Sequence, residues 1–171
     1  VQRLNGPWLN SAGRTANCVD AARSFLASWY GRPTVAAPVR TRSDGPLVRP
    51  EPESVSLSRT ERWLGAQWRS HAPGTESHGP GKAGRDEPGA VWDALGGELT
   101  AHGHGSAAVV VFRRPDGGSH AVNAVNHQGT VYWIDAQHGR VAARPDFDGT
   151  AFLSIVLGPD GKPLPTVPPG G

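Results

Sequence analysis

The chain has 171 residues, a formal net charge of +2, 37% hydrophobic residues and one cysteine. That length fits one domain of the usual ~100–200 residues, and a lone cysteine excludes an intrachain disulfide framework and a multi-cysteine zinc site. No apolar run approaches the ~20 residues of a membrane helix, and the small, scattered basic excess gives no footprint for nucleic acid. Gly (23) and Pro (16) are abundant, so irregular stretches are expected. The chain starts at Val1 and contains no Met. It reads as a segment of a longer protein, and no targeting segment reveals its compartment.

The first strong helical pattern runs from Cys18 to Tyr30, with Val19, Ala22, Leu26 and Trp29 at helical spacing. Asn17 is a good N-cap, Asp20 follows three residues on as in a capping box, and Gly31 and Pro33 stop the helix. Residues 32–53 are Pro- and Arg-rich and read as an extended connection, with Arg40, Arg42 and Arg49 solvated. Ser58–Trp68 is predicted helical, with Trp63, Leu64 and Trp68 on one face. Residues 71–90 carry Gly, Pro and charge without an apolar face and read as a mobile insertion. Val91–Leu99 is a third helix, with Val91, Leu95 and Leu99 toward the core.

The period then changes. Ala107–Phe112 has the apolar run of a buried strand. Ser119–Asn126 and Thr130–Asp135 flank the turn signal Asn126-His127-Gln128-Gly129, and Phe152–Leu157 is a fourth strand. Residues 158–171 read as a flexible tail, leaving 1–157 as the domain. Helices followed by an antiparallel meander give an α+β class.

Cys18 falls at the start of its helix, where unpaired N–H groups and the dipole favour a thiolate. A hairpin with paired residue numbers summing to 255 sets His120 opposite Asp135. A sum of 257 keeps them on one face as diagonal neighbours and sets Gln137 opposite His120. A three-residue loop separates them. Taken alone, Cys18 fits a small buried hydrophobe and the His–Asp pair a structural contact. Taken together, they have the order and layout of a nucleophile, a base and an orienting carboxylate. Gln137 shares a face with Asp135 and suits oxyanion donation, support, or a surface amide. Asn17 suits a cap better than an oxyanion donor. His102 and His104, with His71, His78, His127 and His138 available to join them, lack an acid or Cys at fitting spacing, so no metal site is expected.

The segments Thr15-Ala16-Asn17-Cys18-Val19, Gly118-Ser119-His120-Ala121-Val122-Asn123-Ala124-Val125-Asn126 and Val131-Tyr132-Trp133-Ile134-Asp135-Ala136-Gln137-His138-Gly139 closely resemble the papain-fold toxin domains known as glutamine deamidases. The likeness covers roughly residues 10–31 and 96–157. Ser119 stands where that family often has Gly before the His. The resemblance implies a papain-like fold with N-terminal helices on an antiparallel sheet. It also implies Cys18 as nucleophile, His120 as base, Asp135 as the acid that orients it, and no cofactor. By the same resemblance the domain is the warhead of a larger delivered toxin. It would act in the target-cell cytoplasm on a glutamine of a target-cell protein and be restrained by a cognate immunity protein. A papain-like cysteine protease, a transglutaminase and a catalytically inactive binding module remain open alternatives.

Overall fold

The computed structural model describes residues 13–51, 53, 55–71 and 88–165. Among them, helix α1 spans Cys18–Trp29 and ends where Gly31 takes a left-handed φ of 77°. The 32–53 connection is more structured than its composition suggests. It contains strands β1 (Thr41–Asp44) and β2 (Leu47–Pro50), paired around Gly45-Pro46. Gly45 at φ 61° starts the reversal, as a two-residue hairpin loop requires. Helix α2 is Ser56–Leu64 and stops at Gly65, so Trp68 lies beyond it and is held by its indole N–H to the Leu57 carbonyl at 3.1 Å. Trp63, expected on the buried face, is exposed.

Strand β3 (Arg69–His71) was not expected from sequence, being only three residues long. Helix α3 is Pro88–His102, longer at both ends than the apolar spacing predicts. Within 71–90, His71 therefore ends β3, with Nε2 2.8 Å from Ser154 Oγ, and Pro88–Ala90 open α3. The rest of that expected insertion lies outside the described residues.

The remaining strands are β4 (Ala107–Arg113), β5 (Ser119–His127), β6 (Thr130–Asp135), β7 (Arg140–Ala142) and β8 (Ala151–Leu157). With β3 they form an antiparallel sheet of order β3-β8-β4-β5-β6-β7. The meander expectation holds from β4 to β6; β7, not expected from sequence, extends it, and β8 then returns to the other side of β4. The early part of the expected tail is not loose. Leu164 N–H donates to the Val156 carbonyl at 2.9 Å, and Tyr30 Oη donates to the Gly158 carbonyl at 2.9 Å. Residues 166–171 lie outside the described residues.

Alternation along the strands sorts the core into two layers. Val109, Val111, Ala121, Val125 and Ile155 pack against Val19, Ala22 and Leu26 of α1. Val110, Phe112, Val122, Ala124, Trp133 and Val156 pack against Trp92, Leu95 and Leu99 of α3. The sheet is thus covered by α1 on one face and α3 on the other, which explains why β4 and the middle of β5 are apolar at every other position on both faces.

The β5–β6 turn fixes register. Gln128 (φ 53°) and Gly129 (φ 85°) form the two-residue loop, both in the positive-φ region that a type I′ turn demands. Asn126 is fully buried and holds the turn from inside. Its Oδ1 accepts the Gly129 N–H at 2.9 Å and its Nδ2 donates to the Leu99 carbonyl at 2.9 Å. Asn126→Ala removes both bonds, taking the Gly129 N–H from its acceptor while the Leu99 carbonyl keeps the Ser106 hydroxyl and the Gly103 N–H. We expect a loss of about 1–2 kcal/mol of unfolding free energy, read as a lower denaturant midpoint at unchanged slope. An unaltered midpoint would contradict this role.

Candidate active site

The observed register pairs Asn123 with Ile134, Ala124 with Trp133 and His127 with Thr130. Numbers sum to 257, not 255, because the loop is Gln128-Gly129 and not centred one residue earlier. His120 and Asp135 are therefore not directly opposed; they are diagonal neighbours on one face. They still meet. His120 Nε2 lies 3.0 Å from Asp135 Oδ2, with side-chain exposures of only 7% and 3%. The rings of Phe112 and Phe147 stand against His120, with centroids 5.8 and 6.0 Å away.

With Nε2–H given to the carboxylate, Nδ1 is the basic nitrogen of His120. Asp135 has further partners that the sequence reading missed. The backbone N–H of His138 donates to Oδ1 at 3.0 Å, and His138 Nδ1 lies 2.7 Å from Oδ2. His138 had been weighed only as a possible metal ligand. The three-residue spacing from Asp135 across a turn was the signal for it. Burial pushes the Asp135 carboxyl upward, but the His120 and His138 hydrogen bonds outweigh it and hold the carboxyl down at about 2.

Cys18 opens α1 as expected, and its thiol is partly buried beside β5. The β5–β6 ladder stops at Asn123 and Ile134, and beyond it the Ala121 N–H, next to His120, is directed at the Cys18 sulfur. Among the described residues no hydrogen bond joins the thiol to His120. The expected thiolate-stabilising helix start is also overturned. Burial, and then the negative charge of Glu53, push the thiol up to about 11, against the N–H groups of Ala121 and Val19.

The reason is local. Glu53 occupies the first turn of α1: Val19 N–H donates to Oε2 at 3.2 Å and Asp20 N–H to Oε1 at 3.1 Å. A carboxylate is the natural partner of those unpaired donors, but it spends the positive end of the helix on itself. Nothing in the local sequence of Cys18 signals a cap supplied from so far along the chain.

Asn17 precedes the helix, but its side chain is not the cap. Its Nδ2 donates to the Ala37 carbonyl at 2.9 Å, fastening the return of the chain. Asp20 does not close a capping box; it pairs with Arg23 and accepts the Ala37 N–H. Gln137 Nε2 donates to the Arg14 carbonyl at 3.2 Å, tying the end of β6 to the segment that leads into Cys18. His104 Nδ1 accepts the Gln128 N–H at 3.2 Å, a turn contact. A polar cleft of about 450 Å³ runs beside the helix start, lined by Asp20, Arg23, Arg40, Glu51, Glu53 and Arg59 among others.

A family model described as papain fold toxin 1, glutamine deamidase matches residues 16–140. The chain belongs to that family. No curated protein and no solved structure matches it. The matched span contains Cys18, His120, Asp135, Gln137 and His138, and the α+β architecture is that of a papain fold. As a toxin-family glutamine deamidase domain, it has a protein substrate in a target cell. No helix among the described residues is long and apolar enough to cross a membrane.

Two measurements test this electrostatic picture. Glu53→Gln keeps an acceptor for the helix N–H groups but removes the charge. The Cys18 titration should fall by about one pH unit, and alkylation by iodoacetamide below it should quicken about tenfold. An unchanged rate would show that Glu53 does not restrain the thiol. For Asp135, a carboxyl held below its ordinary 3.8 adds stability that is complete above that value and drains as pH falls through the folded one. The stability advantage of wild type over Asp135→Asn should therefore shrink by about 1–2 kcal/mol between about pH 4 and pH 2. Parallel pH–stability curves would refute it.

Proposed function

We propose that the domain deamidates a glutamine side chain through a Cys18–His120–Asp135 triad. The observation that carries this reading is the buried 3.0 Å His120–Asp135 pair, at the strand end whose next N–H points at the sulfur of Cys18. His120 Nδ1 takes the thiol proton as the sulfur attacks the carboxamide carbon. Because the resting thiol titrates near 11, proton transfer accompanies attack instead of preceding it. The carbonyl π electrons move to oxygen. The oxyanion is held by the Cys18 backbone N–H, which lies in the first turn of α1 and has no partner within the helix.

Collapse of the intermediate breaks the C–N bond. His120 returns its proton to nitrogen, and ammonia leaves. A thioester on Cys18 remains. His120 then takes a proton from water, hydroxide adds to the thioester carbon, and the carboxylate product and the free thiol are released. Asp135 fixes the productive imidazole tautomer and steadies the imidazolium. Gln137 and Asn17 act as supports for the segments on either side of Cys18. The domain is delivered as part of a larger toxin, works in the target-cell cytoplasm, and is matched by an immunity protein.

The test is peptide mass analysis of target-cell proteins after expression of wild type and variants. We expect amide-to-acid conversion at specific glutamines with wild type, and none with Cys18→Ala or His120→Ala, at unchanged folding. Asp135→Asn should lower turnover by about 10²–10⁴-fold. Full activity in a well-expressed Cys18→Ala protein would sink the reading. Peptide cleavage in place of conversion would favour the protease alternative, and cross-linking to an amine the transglutaminase.

A further inference from the structure

The carboxylate that orients His120 is shared. Asp135 Oδ2 is met by His120 Nε2 at 3.0 Å and by His138 Nδ1 at 2.7 Å, while Oδ1 accepts the His138 backbone N–H at 3.0 Å. The two imidazole centroids are 5.6 Å apart. Exposure separates them: the side chain of His138 is 52% exposed, that of His120 only 7%. Arg140 stands opposite Asp135 in the β6–β7 backbone ladder. Cys18 feels the Asp135 charge from the other side.

We propose that His138 is a positioning residue for the triad, clamping the Asp135 carboxylate in the orientation that meets His120. The inference rests on the deamidase reading for its kinetic part only.

The clamp follows from geometry. A carboxylate at a strand end can turn about its Cβ–Cγ bond, and a second N–H on the same oxygen, with a backbone N–H on the other, removes that freedom. With the carboxylate so held, the His120 Nε2–H keeps its acceptor and Nδ1 remains the basic nitrogen.

Two variants separate the roles. His138→Asn places an amide N–H close to where Nδ1 stood, and His138→Ala removes the donor. The primary readout is the rate of Cys18 alkylation by iodoacetamide near neutrality, which needs no substrate. We expect His138→Ala to slow it about tenfold and His138→Asn to stay within about threefold of wild type. His138→Ala should also slow turnover of a glutamine-bearing substrate about tenfold, in kcat and not KM, with His138→Asn restoring most of it. An alanine variant with unchanged alkylation and kcat would overturn the proposal, as would an equal loss in His138→Asn. Slowed alkylation in His138→Ala, restored by His138→Asn, in a protein that converts no glutamine would leave the His138 clamp standing and remove the deamidase reading instead.

Discussion

A buried carboxylate must be paired or it will not stay charged, and Asp135 is the residue on which that constraint falls here. It is almost fully buried, yet its carboxyl stays at about 2 because N–H donors from two elements converge on it. Each donor comes at a structural cost. His120 must lie at the start of β5, and the Asp135–Gly139 turn must fold back so that the His138 N–H and ring both reach the same group. Meeting the charge therefore fixes the β5 start, the β6 end and the β6–β7 turn in one arrangement. In the proposed mechanism, the consequence is a base whose tautomer is set before any substrate arrives.

That arrangement depends on strand register, and register depends on a turn some distance away. A shift of one residue between β5 and β6 would move His120 and Asp135 to opposite faces of the sheet. Two residues in the loop, Gln128 and Gly129, prevent it, and Asn126 links that loop to α3 through Leu99. Gln128 holds a backbone conformation that glycine or asparagine would adopt more easily. The hydrogen bonds of Asn126 compensate for it. Asn126 thus contributes to the site through geometry alone, with the ladder as intermediary.

The parts of the fold that were legible in sequence are those where a single physical period dominates. Val19, Ala22 and Leu26 announce α1; the alternation in β5 and β6 announces the hairpin; and His120 and Asp135, of opposite parity, share a face under either odd register sum, 255 or 257. The register itself was not legible, since Asn126-His127-Gln128-Gly129 accommodates more than one turn and only positive φ at Gln128 decides. β3 and β7 are three residues each, too short to show a pattern. The hairpin at 41–50 was hidden because its residues are exposed on both faces, Leu47 and Val48 included, so alternation carries no burial signal. Glu53 was invisible for a different reason: capping from a distant segment leaves no local trace beside Cys18.

The two halves of the proposed triad are consequently in different states of readiness. The base half is complete, with imidazole and carboxylate joined and shielded by Phe112 and Phe147. The nucleophile half is held back. Burial first, and then the negative charge that Glu53 brings to the first N–H groups of α1, push the Cys18 thiol up, so it rests protonated. A resting thiolate is also the form most open to oxidation and stray alkylation, and a protonated Cys18 escapes both. In the proposed mechanism, coupling deprotonation to attack confines the reactive sulfur to the moment when a carboxamide lies against it. In this domain the positive end of a helix serves structure first, and the chemistry relies on a pre-set imidazole to make up the difference.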